Sequence, residues 1–297
     1  DSETNFSESL QGNSRIGAKV KVSDELVGRF EYGASSGNAN IRHLFGEWDF
    51  GTGKILVGQT TSLLYFGLSN QVYGDDESLE HYGNLDANRR PMVRLTFGDF
   101  QIAAISPRTN DLGADETQVM MPKLEAKYEL SMDNFTLIAA AGYQTYEVTV
   151  GGEDLDVDTY ILAIGGKVNF GPAYIGAGGW FGQNVGPYGV DIKADADPFL
   201  NGSELEDNDA YGLMGMIGFN VNDTLALEAG IGYVSAELDT DGSYKDDAMA
   251  YYLQATITLA KGMTIVPEIG VLDYLDDASG VDEGDAFYWG MKWQINF

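Results

Sequence analysis

This sequence predicts an all-β fold, a transmembrane antiparallel β-barrel of about 16 strands, and three observations carry the prediction. Apolar and polar residues alternate along most of the chain with the two-residue period of a strand, and one of the two faces stays almost free of charge. Connections alternate between tight turns and longer acidic loops, as they would if the turns lay on one rim of a cylinder and the loops on the other. The chain also closes on a strand in which Phe287, Trp289, Met291, Trp293, Ile295 and Phe297 share one face while Gly290, Lys292, Gln294 and Asn296 occupy the other. On a helix those apolar residues would scatter around the axis.

Composition agrees. A chain of 297 residues suits one large all-β unit, and Gly 38 against Pro 7, with Tyr 17 and Phe 14, is a strand-and-turn composition. No apolar run is long enough for a transmembrane helix. A modest mean hydropathy does not oppose a barrel, because only alternate residues of its strands meet lipid. The opening Asp1-Ser2-Glu3 reads as mature protein or as a start inside a loop. Cys 0 excludes disulfides, thiolate metal sites and cysteine nucleophiles. A formal charge of −29 excludes nucleic acid as a partner.

Taken in order, residues 1–13 are polar and weakly patterned. From Ser14, Ile16, Ala18, Val20 and Val22 face one way and Arg15, Lys19 and Lys21 the other. Ser23-Asp24-Glu25 turns the chain into Leu26 to Ala34, with Arg29 and Glu31 on the wet face. After a short loop from Ser35 to Asn40, strands Ile41 to Phe50 and Lys54 to Thr60 flank Gly51-Thr52-Gly53. The irregular stretch 61–90 holds Asp75, Asp76, Glu77, Glu80 and Asp86, with Arg89 and Arg90 at its exit. Loops of that length inside a compact fold are usually functional.

Pro91 to Phe97 turns at Gly98-Asp99 into Phe100 to Ser106, and an acidic loop runs to about Gln118. In the strand from Met121 to Leu130, Leu124, Ala126, Tyr128 and Leu130 oppose Lys123, Glu125, Lys127 and Glu129. Ser131 to Asn134 leads into Phe135 to Val148, and later tight turns fall at Gly171-Pro172, Asn220 to Asp223 and Ala260 to Gly262. Long loops are expected near 149–158, 183–209, 237–247 and 273–285.

The count from Ser14 is about fifteen strands. Single-chain barrels of this kind normally have an even number, so a sixteenth is expected, either short within residues 1–13 or missing from the N-terminus of this chain. The uncharged faces, such as Leu213, Ile217 and Phe219 or Leu253, Ile257 and Leu259, have a physical cause. A charge at the lipid midplane costs roughly 2–4 kcal/mol. The opposite faces, which carry Lys167, Glu228, Glu268, Lys292 and many glycines, would line a water-filled lumen. There Gly165, Gly176, Gly178, Gly212, Gly218, Gly230 and Gly232 leave space, which argues against a closed adhesin or anchor barrel.

The sequence resembles the outer-membrane general porins of Gram-negative bacteria, the proteobacterial trimeric type. Ser14-Arg15-Ile16-Gly17-Ala18-Lys19 resembles the family's second strand, and Phe45 to Gly51 followed by Lys54 to Gln59 resembles its fourth and fifth. Trp293-Gln294-Ile295-Asn296-Phe297 resembles the terminal signal read by the barrel-assembly machinery, with Trp293, Ile295 and Phe297 as its apolar residues. The resemblance implies short periplasmic turns, long acidic extracellular loops and an outer-membrane homotrimer among lipopolysaccharide and other outer-membrane lipid. It further implies that loop 61–90 folds inward to narrow each pore. Its acids Asp75, Asp76, Glu77 and Glu80 would then face the basic wall residues Arg15, Lys19, Arg29 and Arg94 across the constriction. The loop departs from the best-known general porins in lacking their short motif.

The expected function is passive diffusion of small hydrophilic solutes and ions, with no cofactor. Twelve of the 17 Lys and Arg residues precede residue 130, so one side of the barrel is basic. The acidic mouth favours cations and the basic wall opposes it; the balance is set at a weak cation preference. A substrate-specific channel with a binding site at the constriction is the alternative. Catalysis is not expected, because His43 and His81 sit in no nucleophile motif. No firm metal site emerges. Asp154, Asp156 and Asp158 are a weak candidate for loosely bound calcium or magnesium, whereas Glu237-x-Asp239-x-Asp241-Gly242 has Ala248 where a calcium loop needs a bidentate glutamate. Trp180, Trp289, Trp293 and the tyrosines are read as lipid-facing or interfacial, with Tyr288 and Tyr174 inward.

Overall fold

The computed structural model describes residues 4–34, 39–240 and 242–297. Residues 1–3 of the expected first segment, 35–38 of the first loop and Asp241 of the calcium-like motif lie outside the described residues. The strands are β1 (Arg15–Lys21), β2 (Leu26–Gly33), β3 (Asn40–Asp49), β4 (Lys54–Thr61), β5 (Arg89–Phe97), β6 (Phe100–Ile105), β7 (Glu116–Gln118), β8 (Lys123–Ser131) and β9 (Phe135–Val150). They continue as β10 (Glu153–Phe170), β11 (Ala173–Gln183), β12 (Phe199–Asn201), β13 (Glu204–Glu206), β14 (Asn208–Asn222), β15 (Leu225–Leu238), β16 (Asp246–Ala260), β17 (Met263–Asp273) and β18 (Asp285–Ile295).

One antiparallel sheet of 16 strands contains all of these except the small β12–β13 hairpin. Neighbours in the sheet are neighbours in the chain, from β1 round to β18, apart from β7, which pairs with the outer end of β9. The sixteenth strand is therefore this short outer addition; among residues 4–13 there is no strand. β1 and β18 both run toward the short-turn rim and form no ladder with each other among the described residues. An antiparallel closure there needs one strand of opposite direction.

The expected loop at 149–158 is instead the top of a hairpin. β9 and β10 run on, paired from Val150↔Glu153 downward, and only Gly151-Gly152 turns the chain, both at positive φ. The alternation Asp154, Asp156, Asp158 against Leu155, Val157, Thr159 was a strand pattern in an acidic segment.

The barrel is inside-out relative to a soluble fold. Ile164, Leu213 and Trp289 point outward at 60%, 54% and 71% exposure, while Lys123, Glu228 and Glu268 point inward and are buried. Trp180 is a correction to the interfacial reading. It lies at an inward position on β11 and is buried, because a loop packs over it.

Candidate functional site

The loop joining β4 to β5 folds into the barrel, and its route follows from what each wall strand offers. Its two limbs pair as a hairpin: the Ala87 N–H donates to Leu64 O at 3.0 Å, and the Phe66 N–H to Leu85 O at 3.1 Å. Leu64, Phe66, Leu68, Leu79, Tyr82 and Leu85 form a buried core with inward residues of β9 to β17. Inward glycines make that approach possible. A Cβ on Gly165 would sit 3.1 Å from the Phe66 ring, and one on Gly178 would sit 2.8 Å from it. The space that these glycines leave is taken up by the loop rather than by open lumen.

Three inward glutamates pin the loop backbone. On β8, Glu125 accepts hydrogen bonds from the Leu63 N–H at 2.7 Å and the Ser62 hydroxyl at 2.7 Å. On β15, Glu228 accepts from the Asn70 N–H at 2.8 Å and from the hydroxyls of Tyr174 and Tyr252. On β17, Glu268 accepts from the N–H groups of Val72 at 2.8 Å and Tyr73 at 3.0 Å, and from the Tyr288 hydroxyl. Glu228, Gln254 and Glu268 sit in one register row, so residues 70–73 cross three strands at constant depth. Backbone amides that would be orphaned in a non-regular segment are satisfied by charge-assisted bonds. The sequence placed Glu228 and Glu268 on the wet face. Which of them would meet the loop depends on strands more than 150 residues away from it.

The loop tip, around α1 (Tyr73–Asp76), reaches the seam between the first and last strands. There Asp76 pairs with Lys292 of β18 and accepts from the Asn13 side chain at 2.8 Å, while Asp75 accepts from the Gly12 N–H at 2.6 Å. Glu77 meets His81 at 3.3 Å. Glu80 is turned the other way, toward Asp86, Asp191 and Arg89. Burial, and then the charges of Asp86 and Asp191, push the Glu80 carboxyl well up, so it carries a proton at neutral pH.

A second inward segment was missed by the sequence reading. Between β11 and β14 the chain makes α2 (Val185–Tyr188), and Val185, Tyr188, Val190, Ala194 and Ala196 pack into the same core. Tyr188 donates to Glu125 at 2.9 Å, and Asn88 donates to Asp191 at 2.8 Å, so this segment is tied both to the wall and to the first loop. Its apolar residues between acids were the available signal.

On the opposite side, β1 to β5 keep a charged inner surface. Glu31 lies 2.6 Å from Arg29, 3.1 Å from Arg42 and 3.8 Å from Arg15. Glu47 lies 3.3 Å from Arg94 and 4.0 Å from Lys54. Lys19 and Arg15 stay exposed. Of the proposed acidic and basic residues, none forms an ion pair with its expected opposite number among the described residues; each wall arginine pairs with a wall glutamate. The sheet thus encloses a lumen with a loop packed against one wall and a basic arc on the other.

A sequence profile described as Gram-negative porin matches residues 1–277. The chain belongs to the Gram-negative porin family. The porin's fold is similar to that of the outer membrane channel DcaP of Acinetobacter baumannii, at TM-score 0.80 and 17% identity over 96% of this chain and 85% of that one. It is also similar to the trimer form of OmpT from Vibrio cholerae (TM-score 0.56, 18% identity, 95% and 89% covered). A third likeness is an anion-selective porin from Comamonas acidovorans (TM-score 0.58, 14% identity, 96% and 90% covered). No curated protein sequence matches this chain. This porin is an outer-membrane channel through which small hydrophilic solutes diffuse passively.

The Glu80 environment gives a pH prediction. Glu80 holds its proton more tightly in the folded porin than in an unfolded chain. The folded arrangement is therefore best below the ordinary carboxylate range and weakens as pH rises toward the raised value. Single-channel current noise should be low at about pH 5 and grow toward about pH 9, while Glu80→Gln should stay quiet at both. A variant as noisy as the native porin at high pH would discard Glu80 as the cause.

Proposed function

We propose that solutes pass through the gap between the inward loop and the basic arc, and that the porin has a weak cation preference set at its outer rim. The one-sided packing of the loop supports this reading, since Arg15 and Lys19 stay exposed across the lumen from it. At the rim the charge is of the other sign: Asp154, Asp156, Asp209, Asp239, Asp276 and Asp282 are exposed around the mouth. Fields of exposed rim charges reach about 10 Å at 0.1 M salt but only about 3 Å at 1 M. Reversal potentials across a planar bilayer should therefore favour cations in dilute salt and lose that preference near about 1 M. An anion preference in dilute salt would reject the assignment.

The remaining assignments belong to the same proposal. A homotrimer would use the apolar outer face around β18 and β3, where Trp289, Trp293 and Trp48 are exposed. Trp293, Ile295 and Phe297 would carry the assembly signal, and lipopolysaccharide would meet the outer rim. Asp154, Asp156 and Asp158 point outward along β10 without converging, which suits loosely held calcium or magnesium rather than a built site. A catalytic role has no support in the histidines: His43 bonds Thr60 at 3.0 Å and His81 bonds Glu77.

A further inference from the structure

We propose that the inner wall of β18 carries a subsite for a neutral sugar ring, floored by Gly290, stacked against Tyr73 and Tyr288, and edged by Asp76, Lys292 and Asn13. The inference rests on the channel reading above and adds a solute class to it. Tyr288 and Lys292 flank Gly290 on the inward face, two residues to either side. Nothing lies within 4 Å of where a Gly290 Cβ would be, and the residue is exposed, so the wall between the two side chains is open. By contrast, the inward Gly178 and Gly232 lie against the loop. Four residues of strand separate Tyr288 from Lys292, about 13 Å at roughly 3.3 Å per residue, which is long enough to seat a pyranose ring.

Sequence parity places one ring, Tyr288, on this stretch of wall, and the loop tip brings the second. A Cβ on Gly270 would sit 2.5 Å from the Tyr288 ring, so the missing side chain gives that ring its place against β17. The Tyr288 hydroxyl is fixed between Glu268 at 3.0 Å and the Gln71 amide at 3.1 Å. The Tyr73 ring packs on it with 4.5 Å between centroids, and both rings stay only half-buried. A tyrosine ring offers an apolar face for the C–H face of a sugar, while a few polar groups at its edge take the hydroxyls. Charge decides against an ionic solute. Asp76 is paired with Lys292 and accepts from the Asn13 amide at 2.8 Å, and Asp75 accepts from the Gly12 N–H at 2.6 Å. An entering anion would meet these carboxylates, and a cation would meet the Lys292 ammonium. Hydroxyl groups instead use the bonding capacity left on both, since a carboxylate has about four acceptor sites and an ammonium three donors.

The test uses purified porin in a planar bilayer bathed in potassium chloride, with maltose as the probe and sorbitol, which has the hydroxyls but no ring, as the control. Maltose should reduce the current saturably, and sorbitol should not. Tyr73→Leu should raise the half-blocking concentration about tenfold, the scale of one lost aromatic contact. Gly290→Val, which fills the floor, should raise it at least as much. That second variant touches no loop residue, so it keeps the proposal testable if Tyr73→Leu fails to assemble. Steady conductance without saturable block by maltose, equal block by sorbitol, or an unchanged half-blocking concentration in Gly290→Val porin overturns the subsite alone. Saturable block by choline in place of maltose overturns the assignment to a neutral ring. No steady conductance at all would instead overturn the channel reading.

Discussion

Replacing Gly232 by valine is expected to cut single-channel conductance by about half or more while leaving the barrel assembled. Gly232 faces inward on β15, and any Cβ there would overlap the carbonyl oxygen of Tyr82, part of the loop backbone. The wall cannot yield, since β15 is held by ladders to β14 and β16 on either side. The loop has to move, and the only free direction is across the lumen toward the basic arc, which narrows the passage. Overpacking of this kind typically costs about 1–3 kcal/mol, which a barrel of this size should survive. Gly290→Val provides the control. It also faces inward, on β18, but nothing lies within 4 Å of its would-be Cβ. Conductance should change little there, and an equal drop in both variants would show that added bulk in the lumen, rather than loop displacement, is responsible.

Replacing Glu125 by leucine should cost about 3–5 kcal/mol of stability, the usual penalty for breaking a buried ionic network by removing one partner. Its side chain is fully buried, and it accepts from Leu63, Ser62 and Tyr188 while lying 3.7 Å from the equally buried Lys123. Without it, the Lys123 ammonium keeps only the Tyr188 carbonyl at 3.3 Å and the Tyr188 ring. Urea titration of the porin in detergent should show the loss. Adding Lys123→Met should recover part of it, because the stranded charge is then gone. If the double variant is no more stable than the single one, the cost lies in the loop anchors rather than in the unpaired lysine. Both inward segments hang on Glu125, so the single variant should also show larger current fluctuations.

Lys123 and Glu125 illustrate where the sequence stopped being informative. Their alternation with Leu124 and Ala126 placed them correctly on the inner face of β8. Nothing local distinguished them from Lys127 and Glu129, four residues along on the same face, which keep water contact. What separates them is depth: two loops cover the outer part of the strand and not the inner end. Likewise, Trp180 and Trp289 have similar neighbours in sequence, yet one is buried under the carbonyl of Gly83 and the other is exposed to lipid. Strand parity on β11 puts Trp180 on the inner face, the same face as Gly178 and Gly182.

The sequence alone determined most strand positions, the inward and outward faces, the concentration of basic residues on the early strands and the existence of a long loop at 61–90. Each of these is encoded over a few neighbouring residues, through the two-residue period and the turn chemistry. Only the tertiary structure decided that the loop lies against β8 to β18, that a second segment from 184–198 joins it, and that Arg42 stands with Arg15 and Arg29 around one glutamate. Those arrangements arise from side chains brought together by the curling of the sheet, and from the competition between loop amides, wall carboxylates and missing glycine side chains. No local pattern records the outcome of that competition.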